Sequence, residues 1–210
     1  MDEHLRPTWF IDADHPSIRQ KSIKLLRGIE SPKEQAVALF HFVRDGFPYK
    51  IIYEIPGREY FRASDTLRRG EGFCMPKSIL LAALARSAGI PSRLHFADIR
   101  NHILPRTTTD RLKTDIMAYH TYVGLLLDGK WVKATPSFDI GFCHKFGLLP
   151  VDFDGEHDAL LHHLDTKGRV HIEYVADYGT RGDFPVDEVI EAFKRTYPHI
   201  PRLTAALERA

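Results

Sequence analysis

The sequence predicts an α+β fold rather than a chain of βαβ units, and three observations carry that reading. Helical patterns dominate the chain up to Ala88, whereas the main strand patterns come after it, from Arg93 on. The clearest strands are two arms of a hairpin that turns at Asp128-Gly129, a two-residue turn suited to antiparallel pairing. Between helices and strands lies Arg69-Gly70-Glu71-Gly72-Phe73-Cys74-Met75-Pro76-Lys77-Ser78, a glycine-broken loop that runs into the almost wholly aliphatic or small stretch Ile79 to Ala88. A helix that is apolar on every side has no solvent face, so this one is expected to be buried.

The elements follow in order. Asp14 to Arg27, with Ile18, Leu25 and Leu26, predicts an outer helix stopped by Gly28. Ser31-Pro32-Lys33-Glu34 is a capping box with proline at the first helical position, and Val37, Phe40 and Val43 continue a helix to about Gly46-Phe47-Pro48. Tyr49 to Tyr53 reads as a short strand or an extended approach to the cysteine loop, and Ala63 to Leu67 as a helical turn before it. Gly89 and Pro91 end the apolar helix. Arg93 to Ala97 alternates as a half-buried strand, and Asn101 to Ala118, polar and without period, reads as a long loop shaping a cleft. Thr121 to Leu127 and Lys130 to Thr135 are the hairpin arms. Asp158 to Leu164 predicts a short helix, Val170 to Val175 a strand, and Asp183-Phe184-Pro185 opens a last helix carrying Val186, Val189, Ile190 and Phe193 on one face. No internal repeat is evident, and residues 1–210 read as one domain.

Composition narrows the function. With 29 basic and 28 acidic residues in 210, a formal net charge of +1 gives no electrostatic footprint for nucleic acid. No apolar run approaches the roughly 20 residues of a membrane span, so no membrane partner is expected. Two cysteines and an acidic, polar start at Met1-Asp2-Glu3-His4 point to the cytoplasm. The histidines His157, His162, His163 and His171 stand in no metal-binding spacing, and Arg68-Arg69-Gly70 lacks the context of a phosphate loop. No cofactor or metal is therefore expected.

The chemistry points to Cys74. A cysteine at a helix N-terminus sees the positive end of the macrodipole and unpaired N–H groups, which favour thiolate and can bind an oxyanion. A cysteine nucleophile needs a base, and that base an orienting group. His120, at the start of the first hairpin arm, is the expected base. The orienting group is either Thr135, on the face shared by Trp131 and Lys133, or Asp139, which the chain can turn back toward the cleft after Pro136 ends the strand. Asp139 is the one expected to act, because a carboxylate can stabilise an imidazolium. Cys143 is expected to serve packing.

Gly72-Phe73-Cys74 before an apolar helix ending Ala88-Gly89-Ile90-Pro91-Ser92-Arg93, then Tyr119-His120-Thr121, then Leu127-Asp128-Gly129-Lys130-Trp131-Val132, together resemble the transglutaminase-like superfamily of papain-related cysteine enzymes. The Phe40-His41-Phe42-Val43-Arg44-Asp45 segment leading to Tyr49 also resembles what precedes the cysteine in bacterial members. The resemblance covers a core of about residues 31–139, leaving about 140–210 as a C-terminal extension. It implies a papain-like or transglutaminase-core fold, with N-terminal helices and a buried helix packed on an antiparallel sheet. It also implies a cysteine hydrolase or acyltransferase acting on peptide, protein or small amide substrates through a Cys74-His120-Asp139 triad and a thioester. Members usually place an aspartate four residues after the hairpin tryptophan, and here that position is Thr135. The departure motivates the alternative of a catalytically silent scaffold for protein interaction. Oligomeric state is not legible.

Overall fold

The computed structural model describes residues 3–208. Four helices come first: α1 (Pro16–Leu25), α2 (Pro32–Gly46), α3 (Ala63–Arg69) and α4 (Cys74–Ser87). After them come β1 (Ser92–Asn101), α5 (Arg106–Leu112), β2 (Ile116–Leu127), β3 (Lys130–Ala134), α6 (Ile140–Phe146), β4 (Ile172–Arg181) and α7 (Val186–Thr196). The strands form one antiparallel sheet in the order β3-β2-β1-β4, so the C-terminal part of the chain supplies an edge strand beside β1. α1, α2 and α3 surround α4, which packs in turn on β1 and β2. This is an α+β fold built on a buried helix against an antiparallel sheet.

Local chemistry explains the firmest elements. Ser31 caps α2, its hydroxyl accepting from Glu34 N, and Pro32 occupies the first turn where no N–H is needed. The hairpin turns through Asp128 at φ 49° and Gly129 at φ 78°, the left-handed pair that matches strand twist. In α4 every residue from Cys74 to Arg86 is buried. Burying the aliphatic run Ile79 to Ala85 on every side is a large hydrophobic term in this core.

Three expectations are corrected. Asn101 to Ala118 is not one long loop: β1 runs on to Asn101, α5 occupies Arg106–Leu112, and β2 begins at Ile116. Asp158 to Leu164 forms no helix, because its backbone pairs elsewhere: Ala159 N donates to Lys133 O (2.8 Å) and Ala159 O accepts from Thr135 N (3.0 Å), extending the hairpin edge. The irregular stretch after Pro136 contains α6.

Candidate active site

The loop before α4 is stitched to the α2 exit by two backbone bonds, Gly72 N to Pro48 O and Lys50 N to Gly72 O, both 3.2 Å. A side chain at Gly72 would put its Cβ 3.0 Å from Pro76 Cγ, so glycine is what lets the loop lie this close to the helix it enters. Phe73 provides no side-chain cap, which leaves the first-turn N–H groups of Cys74 and Met75 without one, while Pro76 has no N–H to satisfy.

Two buried polar side chains then fix the N-terminal half of α4. Lys77 Nζ donates to Arg44 O (2.8 Å) and Phe47 O (2.7 Å), tying the helix to the end of α2. Ser78 Oγ donates to Thr121 O (2.9 Å), tying it to β2 one residue beyond His120. The ladder between β2 and β3 closes at Val123 and Ala134, so Thr121 lies past the last paired residue and its backbone serves α4 instead.

Cys74 is 7% exposed and His120 is 2% exposed, and both line one cavity of about 250 Å³. Burial pushes the Cys74 thiol up to about 11, although the backbone amides of Thr121, Met75 and Cys74 pull toward thiolate. The expected lowering by the helix terminus is thus overcome by desolvation. Burial likewise pushes the His120 imidazole down to about 3. The free site therefore holds a thiol beside a neutral imidazole.

The placement of His120 depends on a feature that the sequence reading missed. Ala97 pairs with His120 and Ile99 with Met117, so Ala118 and Tyr119 together oppose Asp98 in a β-bulge. Tyr119 adopts φ 53°, a left-handed conformation that costs a non-glycine residue roughly 1–2 kcal/mol. The bulge is held from β1, its neighbour, and from β4 on the far side of β1. Asp98 Oδ1 accepts from Tyr119 N (2.9 Å) and Asp98 Oδ2 from the Tyr178 hydroxyl (2.8 Å), while the Tyr119 and Tyr178 rings stack at 4.6 Å.

The orienting group is where structure and expectation part. Asp139 is the N-cap of α6, with Oδ1 accepting from Phe142 N (2.8 Å) and Oδ2 from Tyr49 N (2.7 Å). No hydrogen bond joins it to His120. Aspartate is among the strongest N-caps, and here both of its oxygens are engaged by backbone donors. His120 Nε2 is buried without a partner, as is Thr135 Oγ1. Tyr174 neighbours both. Its ring is 6.1 Å from the His120 ring, and its hydroxyl approaches the Thr135 side chain without a hydrogen bond of good geometry. The structure thus brings Cys74 and His120 to one cavity and engages Asp139 elsewhere, bonded to Tyr49 N and capping α6. The sequence did carry a signal for that: Asp139 before Phe142 and Phe146, with Gly147 after, is the start and stop of a short helix.

Cys143 is fully buried in α6, and neither it nor Cys74 forms a disulfide. Among the described residues, no three His, Cys, Asp or Glu side chains are placed to share a metal ion, and no helix is long and apolar enough to cross a membrane.

Comparison with known proteins bears on this geometry. The sequence model of the transglutaminase-like superfamily matches residues 19–136, more than half of the chain. A search of the curated proteins finds no match. Among solved structures, a candidate cysteine protease from Cytophaga hutchinsonii superposes with a TM-score of 0.50 at 18% identity, over 86% of this chain and 46% of the other. The chain thus spans less than half the length of that protein. The arylamine N-acetyltransferases from Mycobacterium abscessus (TM-score 0.48, 15% identity, 94% of this chain and 75% of the other) and Salmonella typhimurium (0.43, 14%, 94% and 73%) are also similar.

Proposed function

Because the chain belongs to the transglutaminase-like superfamily, we propose that it is a cysteine-dependent acyl-transfer enzyme, with Cys74 as nucleophile and His120 as base. The observation that carries the reading is the shared cavity: the one cysteine at an uncapped helix N-terminus and the buried histidine of β2 line the same space.

Each step follows from groups in that space. With both groups neutral at rest, His120 takes the thiol proton as the sulfur attacks the acyl carbon, rather than acting from a preformed ion pair. The new C–S bond replaces the bond to the leaving amine or alkoxide, and the leaving group departs with the proton from His120. Water, or a second amine, then adds to the thioester. Its proton passes through His120 to sulfur as the C–S bond breaks. The amides at the start of α4 are the donors for the oxyanion.

Thr135 occupies the position four residues after Trp131, and it neighbours Tyr174, whose ring lies 6.1 Å from that of His120. We assign Thr135 the orienting role in place of Asp139, whose oxygens are both engaged elsewhere. A hydroxyl gives the imidazolium no compensating charge, so turnover slower than that of an aspartate-containing site is expected. The same absence of an acid beside His120 favours a second reading, a silent scaffold that binds without turning over.

Intact-protein mass measurement after exposure to activated esters decides between them. An acyl adduct that forms on the parent and is absent from Cys74→Ala supports the enzyme. No adduct with any ester leaves the scaffold.

A further inference from the structure

The cavity that holds Cys74 and His120 has a composition that says what can fill it. Its wall is mainly apolar and includes Ile99, Ile103, Met117, Phe142, Phe146 and Leu148. Among the described residues, Lys50 is the one lysine, arginine or carboxylate in that wall, and its Nζ is paired with Glu71 Oε1 at 2.7 Å. An anionic group entering here finds no free cation, and burying an unpaired carboxylate is strongly unfavourable. At about 250 Å³ the space exceeds the roughly 150 Å³ that holds a benzene and falls short of what an extended peptide requires. Ser137 and His171 also line the wall, and their Oγ and Nε2 are buried without a hydrogen-bond partner.

We infer that the substrate is a small uncharged molecule whose acyl part is apolar, about one ring with a short chain, and that this acyl part occupies the cavity while its carbonyl carbon meets Cys74. The inference rests on the acyl-transfer reading and deepens it. The apolar body is read by the aliphatic and aromatic wall. In the acylation half-reaction, Cys74 sulfur bonds to the carbonyl carbon, the carbon–oxygen bond of an ester or the carbon–nitrogen bond of an amide breaks, and the leaving group takes the proton that His120 removed from the thiol. No oxidant, reductant or third reactant is needed.

The test uses the p-nitrophenyl esters of phenylacetate, acetate and succinate, following nitrophenol release and the mass of the acylated protein, with Cys74→Ala as control. Each buried methylene is worth about fourfold in affinity, so phenylacetyl is expected to exceed acetyl in kcat/KM by about tenfold or more, and succinyl to fall below both. Ile103→Trp, a partly exposed loop position that reaches the cavity, should reduce the phenylacetyl-to-acetyl ratio about tenfold. Cys74-dependent acylation with equal rates for the three esters, or with succinyl preferred, overturns the inference and leaves the acyl-transfer reading standing. Absence of Cys74-dependent acylation with every ester overturns both.

Discussion

Replacing Lys77 by methionine should change how stability depends on pH, and the size of the change follows from where Nζ sits. The side chain is 0% exposed, and burial pushes its pKa down to about 7 despite two carbonyl acceptors. In the unfolded chain the same group titrates near 10.4. Between those values the unfolded state binds a proton that the folded state does not, so the stability contributed at this position rises with pH. The penalty is complete below pH 7 and gone above about 10.4. A gap of roughly 3.4 units corresponds to about 4–5 kcal/mol. Methionine does not titrate, but it leaves the Arg44 and Phe47 carbonyls without a donor, a cost of about 1–3 kcal/mol each that does not vary with pH. Urea unfolding of both proteins at intervals from pH 7 to 10.5 measures the effect. The parent-minus-variant difference should grow by about 4 kcal/mol across the range, since each end of it lies midway through one of the two titrations. Cys74 and Cys143, whose thiols burial pushes up to about 11, work in the opposite direction but are present in both proteins and cancel. A difference that stays constant with pH would mean that Lys77 is charged in the folded core, and the argument from desolvation would fail.

Three further outcomes are expected. His95, His120 and His171 are buried, with desolvation pushing them down to about 4, 3 and 4, against roughly 6.5 unfolded. Stability should therefore fall as pH drops from about 6.5 to 4, by up to about 4 kcal/mol per unit, and His95→Gln or His171→Phe should each flatten the slope in acid-denaturation curves. Alkylation of Cys74 by iodoacetamide should climb about tenfold per pH unit toward an inflection near 11, with no shift in His120→Ala; a plateau near neutral pH would restore the ion pair. Asp139→Ala should cost about 1–2 kcal/mol in unfolding as a lost N-cap, whereas Thr135→Val should leave stability unchanged or higher and lower kcat rather than raise KM. A Thr135→Val protein with parental kcat would remove Thr135 from the site.

How much of this was legible varies with how local the cause is. The α2 cap at Ser31, the Asp128-Gly129 turn and the burial of α4 depend on neighbours a few residues apart, and the sequence states them directly. Cys74 and His120, which the structure places in one cavity, stood out for the same reason, since a glycine loop before an apolar helix and a histidine opening a hairpin arm are local patterns. Asp139 was not. Whether a carboxylate caps a helix or turns to a histidine depends on which donors reach it first, and one of the two here is Tyr49 N, 90 positions away. The state of the thiol was hidden similarly, because the helix-terminus effect is visible in sequence and the opposing desolvation is visible only once β2 has closed over the sulfur. The region from Asn101 to Ala118 hid its strand ends because the bulge at Tyr119 breaks the period of two that a strand would show.

That bulge also sets the parity of the strand. In a regular strand, residues three apart face opposite sides of the sheet, yet Met117 and His120 both line the cavity. The extra residue makes this so: Met117 pairs with Ile99 and His120 with Ala97, two positions that share a face of β1. Losing one residue at Ala118 or Tyr119 would leave strand, helix and core composition almost untouched while rotating His120 to the far side of the sheet, away from Cys74. The cavity thus tolerates substitution here far better than it tolerates a change in length, and a chain with this fold and an unbulged β2 would carry His120 one residue out of phase with Cys74.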